Sequence, residues 1–147
     1  TTFERTWERS AYWAMLAMPA EKVPVSAEEF AYVAAASALE KSGHPERARI
    51  AYLAALQRWP GNLLAQIGVG TTSYKLKQLA QAQAAFKLAV EEHPDSAIAL
   101  NNLAQTLLDL GRLDEALTYA RRAVALGGQF SASARATLQE IESRHGK

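Results

Sequence analysis

With 147 residues and 49% hydrophobic content, the chain is of a length and composition for one globular domain, and it carries no apolar run of transmembrane length. Its 16 Lys and Arg against 15 Asp and Glu leave a net charge near +1, which excludes a sequence-independent electrostatic grip on nucleic acid as the default reading. It contains no Cys, so disulfides, thiolate nucleophiles and zinc–thiolate sites are excluded together.

The chain begins TTFERTW, with neither an initiator Met nor a signal-peptide pattern, and is expected to be a fragment of a longer protein. Residues 1–19 read as the remnant of a preceding domain: a short helix with Phe3 and Trp7 on one face, then the apolar run Ala11 to Met18. That run is apolar on both faces, as a strand inside a sheet would be, with a helix as the alternative for so short a segment. The segment resembles the closing helix and last strand of papain-like cysteine peptidase domains related to bacteriocin-processing peptidases, which end with a Phe, a Trp a few residues later and an apolar strand. The resemblance implies a bacterial parent whose catalytic Cys and His lie upstream of Thr1, leaving no peptidase chemistry in this chain. The same segment, with Trp7, Tyr12 and Trp13, is expected either to cover the start of the following domain or to pair two chains as a homodimer through an exposed apolar strand.

Residues 20–25, AEKVPV, read as a linker, since Pro19 and Pro24 hold the backbone extended and remove hydrogen-bond donors. The domain 26–147 opens with Ser26-Ala27-Glu28-Glu29, the pattern of a capping box. A first helix is predicted from Ala27 to Lys41, stopping at Gly43, and a second from Pro45 to Arg58, ahead of Trp59-Pro60-Gly61. Asn62 caps a third, Leu63 to Leu76, and a fourth follows from Leu79 to Glu92. Asp95 or Ser96 caps a fifth ending at Gly111, a sixth runs from Asp114 to Leu126, and a seventh from Ser131 to Arg144. Lys77 stands where the other hairpin turns have glycine, which predicts some backbone strain there.

A constant shift along the chain lays this pattern on itself. Ala82, Phe86, Ala89 and Pro94 fall on Ala48, Tyr52, Ala55 and Pro60 in one direction, and on Ala116, Ala120, Ala123 and Gly128 in the other. This period, with small, aromatic, small and proline in order, resembles the tetratricopeptide repeat, a helical hairpin. The repeats are placed at about 29–62, 63–96 and 97–128, with 131–144 as a cap. Small residues mark the helix crossings: Ala35, Ala36 and Ala48; Gly70 and Ala82; Ala104 and Ala116. A lone hairpin cannot bury its apolar face, so the hairpins must stack, and the predicted fold is an all-α solenoid. The seventh helix has Ala134, Leu138 and Ile141 on one side and Arg135, Gln139 and Glu142 on the other, as suits a cover for the last hairpin.

Candidates for chemistry are sparse. His44, His93 and His145 are too scattered to share a metal, and the predicted cofactor content is none. The carboxylate pairs Glu28-Glu29, Glu91-Glu92 and Asp114-Glu115 lie at helix ends, where macrodipole effects account for them better than a general acid–base pair. Ser37, Thr71 and Ser73 have no His partner, and Gly68-Val69-Gly70 lies inside a helical pattern. The chain is therefore read as a non-enzyme. In the resembled family the first helices line a concave, peptide-binding groove. That places Val33, Ser37 and Glu40, then Ile67, Thr71 and Tyr74, then Asn101, Gln105 and Leu108 along it, with Phe30, Leu64 and Ile98 at the mouth. Chaperone-binding members hold a C-terminal carboxylate with Lys, Arg and Asn on these faces, whereas here Val33, Ser37, Gly68, Ile98 and Asn102 supply one Asn and no cation. The expectation is an apolar to weakly polar trough for a protein or peptide segment, with Asn101, Asn102 and Gln105 bonding its backbone. The bland alternative is that Phe30, Leu64 and Ile98 only pack between hairpins, in a structural or self-association domain with a permanently filled groove.

Overall fold

The computed structural model describes residues 26–147. The expected peptidase-like remnant, the linker and the homodimer contact all fall in 1–25, outside the described residues. Seven α-helices follow one another among the described residues: α1 (Ala27–Lys41), α2 (Pro45–Arg58), α3 (Leu63–Lys75), α4 (Leu79–Glu92), α5 (Ala97–Asp109), α6 (Leu113–Leu126) and α7 (Ser131–His145). A single 3₁₀ turn, Gly128–Phe130, joins the last two.

The helix starts follow local chemistry. The hydroxyls of Ser26 and Ser96 accept from the backbone N–H groups of Glu29 and Ala99, at 3.1 and 3.3 Å, and Asn62 Oδ1 accepts from Ala65 N at 2.9 Å. Ser96 rather than Asp95 is therefore the cap of α5. Of the expected capping box only the Ser26 half forms as drawn. The Glu29 carboxylate accepts instead from Asn62 Nδ2 at 2.8 Å, tying the first hairpin to the start of the second.

The three hairpin turns are built alike. Gly43, Lys77 and Gly111, each one repeat period from the next, have φ of +85°, +62° and +77°. At each, the following N–H returns to a carbonyl five residues back: His44 to Leu39, Gln78 to Ser73 and Arg112 to Leu107, at 2.9 to 3.0 Å. The strain predicted at Lys77 is present as a left-handed conformation on a residue with a side chain.

Each helix packs on the next, and α1, α3, α5 and α7 also touch in succession. No comparable contact joins α2 to α4 or α4 to α6 among the described residues. The first-helix side is thus the closer-packed one, and the stack curves around it. The crossings are as tight as the small residues predict, with Ala36, Ala48, Ala82, Ala104 and Ala116 fully buried. Two glycines of α3 allow rings to come closer still. A Cβ on Gly68 would stand 2.4 Å from the ring of Tyr52 in α2, and one on Gly70 would stand 2.3 Å from that of Phe86 in α4. Gly68-Val69-Gly70 is therefore a seat for two aromatic rings inside a helix. In the third hairpin the bulk comes from the first helix, as Leu100, Leu103, Leu107 and Leu108, against Ala116, Ala120 and Ala123 of α6. Ala134 and Ile141 of α7 join that cluster and cover its far side.

Candidate functional site: the concave face

The concave face is built by the first helices, and the repeat register sets their side chains in rows across it. One row is Val33, Ile67 and Asn101, the next Ser37, Thr71 and Gln105, and the third Glu40, Tyr74 and Leu108. Phe30, Leu64 and Ile98 stand one turn above. Burial divides these residues. Phe30, Val33 and Leu108 are buried, the last two as members of the core clusters. Ser37, Glu40, Ile67, Thr71, Tyr74, Ile98, Asn101 and Gln105 are half-buried, and Leu64 is exposed.

The lower part of the face is closed by hydrogen bonds between neighbouring helices. Glu40 Oε1 accepts from Thr71 Oγ1 at 3.0 Å and from Lys75 Nζ at 2.8 Å, while Glu40 Oε2 accepts from Tyr52 Oη at 2.9 Å. Burial alone would raise the Glu40 pKa. The hydrogen bonds from Lys75, Tyr52 and Thr71 outweigh it and hold the carboxyl below its ordinary value. Burial, and then the Glu40 carboxylate, push the Tyr52 phenol well up. One helix further along, Tyr74 donates to Asp109 Oδ2, and this bond together with burial pushes the Tyr74 phenol up to about 12. These ties join α1 to α3 and α3 to α5 and neutralise Lys75, leaving the upper rows open.

In those upper rows one polar atom is unmatched. Asn101 Oδ1 is buried without a hydrogen-bond partner, on the same face as Ile98 and in the same row as Ile67. A buried acceptor left in this state costs about 1–3 kcal/mol.

Sequence reasoning placed Glu40, Thr71 and Tyr74 on this face but missed their ties to Tyr52, Lys75 and Asp109. One signal was available: Tyr52 occupies the ring position that Phe86 holds in the next repeat, and a hydroxyl in a buried ring position calls for an acceptor. Two of the three histidines hold local structure. His93 Nε2 lies 2.9 Å from the Gly61 carbonyl, and His145 Nε2 lies 2.7 Å from Asp114 Oδ1. No cluster of side chains suited to a metal occurs among the described residues, and none of their helices is long and apolar enough to cross a membrane. A surface hollow of about 350 Å³, lined by Glu46, Arg49, Ile50, Leu76 and Gln78, includes none of the groove rows.

Comparison with known proteins agrees with this architecture. Residues 70–134 match the family model described as tetratricopeptide repeat. No curated protein matches the chain. Among solved structures, the first such domain of Spaghetti (RPAP3), bound to the HSP90 peptide SRMEEVD, superposes with a TM-score of 0.76 at 20% identity, covering 84% of this chain and 97% of that one. The Yersinia enterocolitica type III secretion translocator chaperone SycD gives 0.76 at 18% identity, covering 84% and 90%. The same chaperone in complex with a peptide of the translocator YopD gives 0.74 at 19% identity, covering 82% and 97%. Residues 70–134 are thus tetratricopeptide repeat sequence, and the described chain is an all-α solenoid of the tetratricopeptide type.

Proposed function

We infer that the concave face binds an extended segment of a partner protein or peptide, so that the chain is a protein-binding module and not an enzyme. The observation that carries this is the open upper part of the face, where Leu64, Ile67, Ile98, Asn101 and Gln105 stay at least partly exposed above the Glu40 ties; the buried, unmatched Asn101 Oδ1 would meet a backbone N–H of a bound segment once the amide turns outward. Two structures of the same fold were solved with peptides, the HSP90 peptide on RPAP3 and the YopD peptide on SycD, which supports the reading by analogy. The accessible residues proposed for contact are Leu64, Ile67, Ile98, Asn101 and Gln105. Glu40, Thr71 and Tyr74 are proposed as the floor that keeps the helices in place. The binding unit is taken to be 26–147.

Selection of the 147-residue chain against a random decapeptide library, followed by fluorescence anisotropy, tests this. Binders of the native chain should lose about tenfold in affinity with Asn101→Leu, the effect of one hydrogen bond. Failure to select any binder removes the groove reading and leaves the self-association alternative. That alternative predicts a concentration-dependent sedimentation coefficient. Presentation of the partner to an attached peptidase-like domain, and dimerisation through 1–19, rest on the resemblance of that segment alone; the sequence encoded upstream of Thr1 tests the first.

A further inference from the structure

Helix α7 is more than a cover. It begins at Ser131, one repeat period after Ala97 begins α5, and packs on α5 and α6 as α5 packs on α3 and α4. Its buried residues keep the same step: Ala134, Thr137 and Ile141 each stand one period after the buried Leu100, Leu103 and Leu107. The helix therefore has the rotation of a first helix, and its exposed side continues the concave face. In that register Arg135 extends the row of Val33, Ile67 and Asn101, and Gln139 extends the row of Ser37, Thr71 and Gln105. Both are exposed.

The charges give this end of the face a direction. Lys75 is committed to Glu40, Arg144 to Glu140 and His145 to Asp114. None of the described carboxylates lies within ion-pair distance of Arg135. Three and four residues away on α7 stand Ser131, Ala132, Leu138 and Gln139, none of them acidic. The acids of this end are Glu140, paired with Arg144 and near enough to Tyr74 to raise its phenol, Glu142, and the Tyr74-bound Asp109, so they gather about the lower rows. Glu142 is seven residues beyond Arg135, about 10 Å along the helix. A carboxylate on a bound segment would therefore meet a cation at the upper row and repulsion below it. Asn101, whose Oδ1 is unmatched, is the member of that row one repeat step before Arg135.

We propose that the binding face runs from α5 onto α7 and that Arg135 receives a carboxylate of the bound segment. The segment is then apolar over Ile67 and Ile98, bonds Asn101 through its backbone, and carries an Asp or Glu side chain over α7, since Val33, Ser37, Gly68, Ile98 and Asn102 bring no cations to hold a chain terminus. This rests on the groove reading above.

The test uses the full 147-residue chain and labelled peptides selected from a random decapeptide library with free C-termini. Binders should be enriched in a carboxylate beside apolar residues. Arg135→Glu should weaken them about tenfold or more, as loss of a charge-assisted contact and its replacement by repulsion would. Arg135→Lys should retain most of the affinity, and added salt should narrow the difference. Amidation of the peptide C-terminus should leave the affinity nearly unchanged and Glu→Gln exchange within the peptide should weaken it, the reverse overturning the side-chain assignment; the peptide series on the native chain gives the same answer should a variant fold poorly. Equal affinity of native and Arg135→Glu chains, or binders without carboxylate preference, would overturn the assignment of Arg135 and leave the groove standing. A library with no binder for the native chain would remove both.

Discussion

The middle and third hairpins solve one packing problem in opposite ways. In the middle hairpin the second helix supplies the bulk, Phe86, and the first helix recedes to Gly70 to receive it. In the third hairpin the second helix is reduced to Ala116, Ala120 and Ala123, and the leucines of α5 fill the space. The shared quantity is volume between helices, so the repeat constrains the sum across a crossing and leaves open which helix provides it. It follows that a small residue is required opposite bulk on the facing helix, whether that bulk is a ring or a set of leucines.

The largest effect should come from removing the ring. Phe86→Ala is expected to cost about 3–5 kcal/mol, since the cavity lies against Gly70 of α3, which has no side chain to relax into it. Chemical denaturation measures it, and a loss below about 1 kcal/mol would show that Phe86 does not fill the crossing. Next, Gly70→Ala should cost about 2–3 kcal/mol by forcing a methyl group into the buried ring. Phe86→Leu in the same chain should recover part of that loss. Additive costs would break the comparison, because residues in contact are expected to couple. Conversely, Ala120→Phe restores to the third hairpin the ring it lacks and should destabilise by about 1–3 kcal/mol against the α5 leucines.

A smaller effect distinguishes the hairpins in acid. Glu40 has a folded pKa below its unfolded value, so its contribution is complete above the ordinary carboxylate range and is lost as pH falls through the folded pKa. The tie is confined to the first and middle repeats. Glu40→Gln should therefore flatten the acid side of the stability profile, and an unchanged profile would deny the carboxylate its role. The smallest change is a gain: Lys77→Gly should stabilise by about 0.5–1 kcal/mol by relieving the left-handed side-chain-bearing residue, offset in part by glycine's greater unfolded entropy.

The parts of the molecule legible beforehand were those governed by short-range rules. Caps, turn glycines and the repeat step located all seven helices to within two residues, and Lys77 was recognisable because Gly43 and Gly111 flank it one period away. The groove was legible as rows but not as chemistry. The Glu40 tie gathers residues 12 to 35 positions apart on three helices, a meeting that no local pattern encodes. Leu108 was placed on the face because it follows Glu40 and Tyr74 by one repeat step each. In α5 the leucines standing in for the missing ring widen the buried arc and draw Leu108 into the core. The rotation of α7 was available from the step between Ala97 and Ser131, but its polar outer side reads first as a cover.

The dependence of the third hairpin on α7 has a consequence in time. A chain synthesised from its N-terminus can close α1 on α2, and then α3 on α4, as soon as each pair emerges, since these contacts are between sequence neighbours. The leucines of α5 have no such independence, because Ile141 follows the last of them only after the whole of α6 and most of α7. Between emergence of α6 and completion of α7 the nascent chain presents its most apolar surface to the cell, and that interval is when it is most open to capture by another unfinished chain.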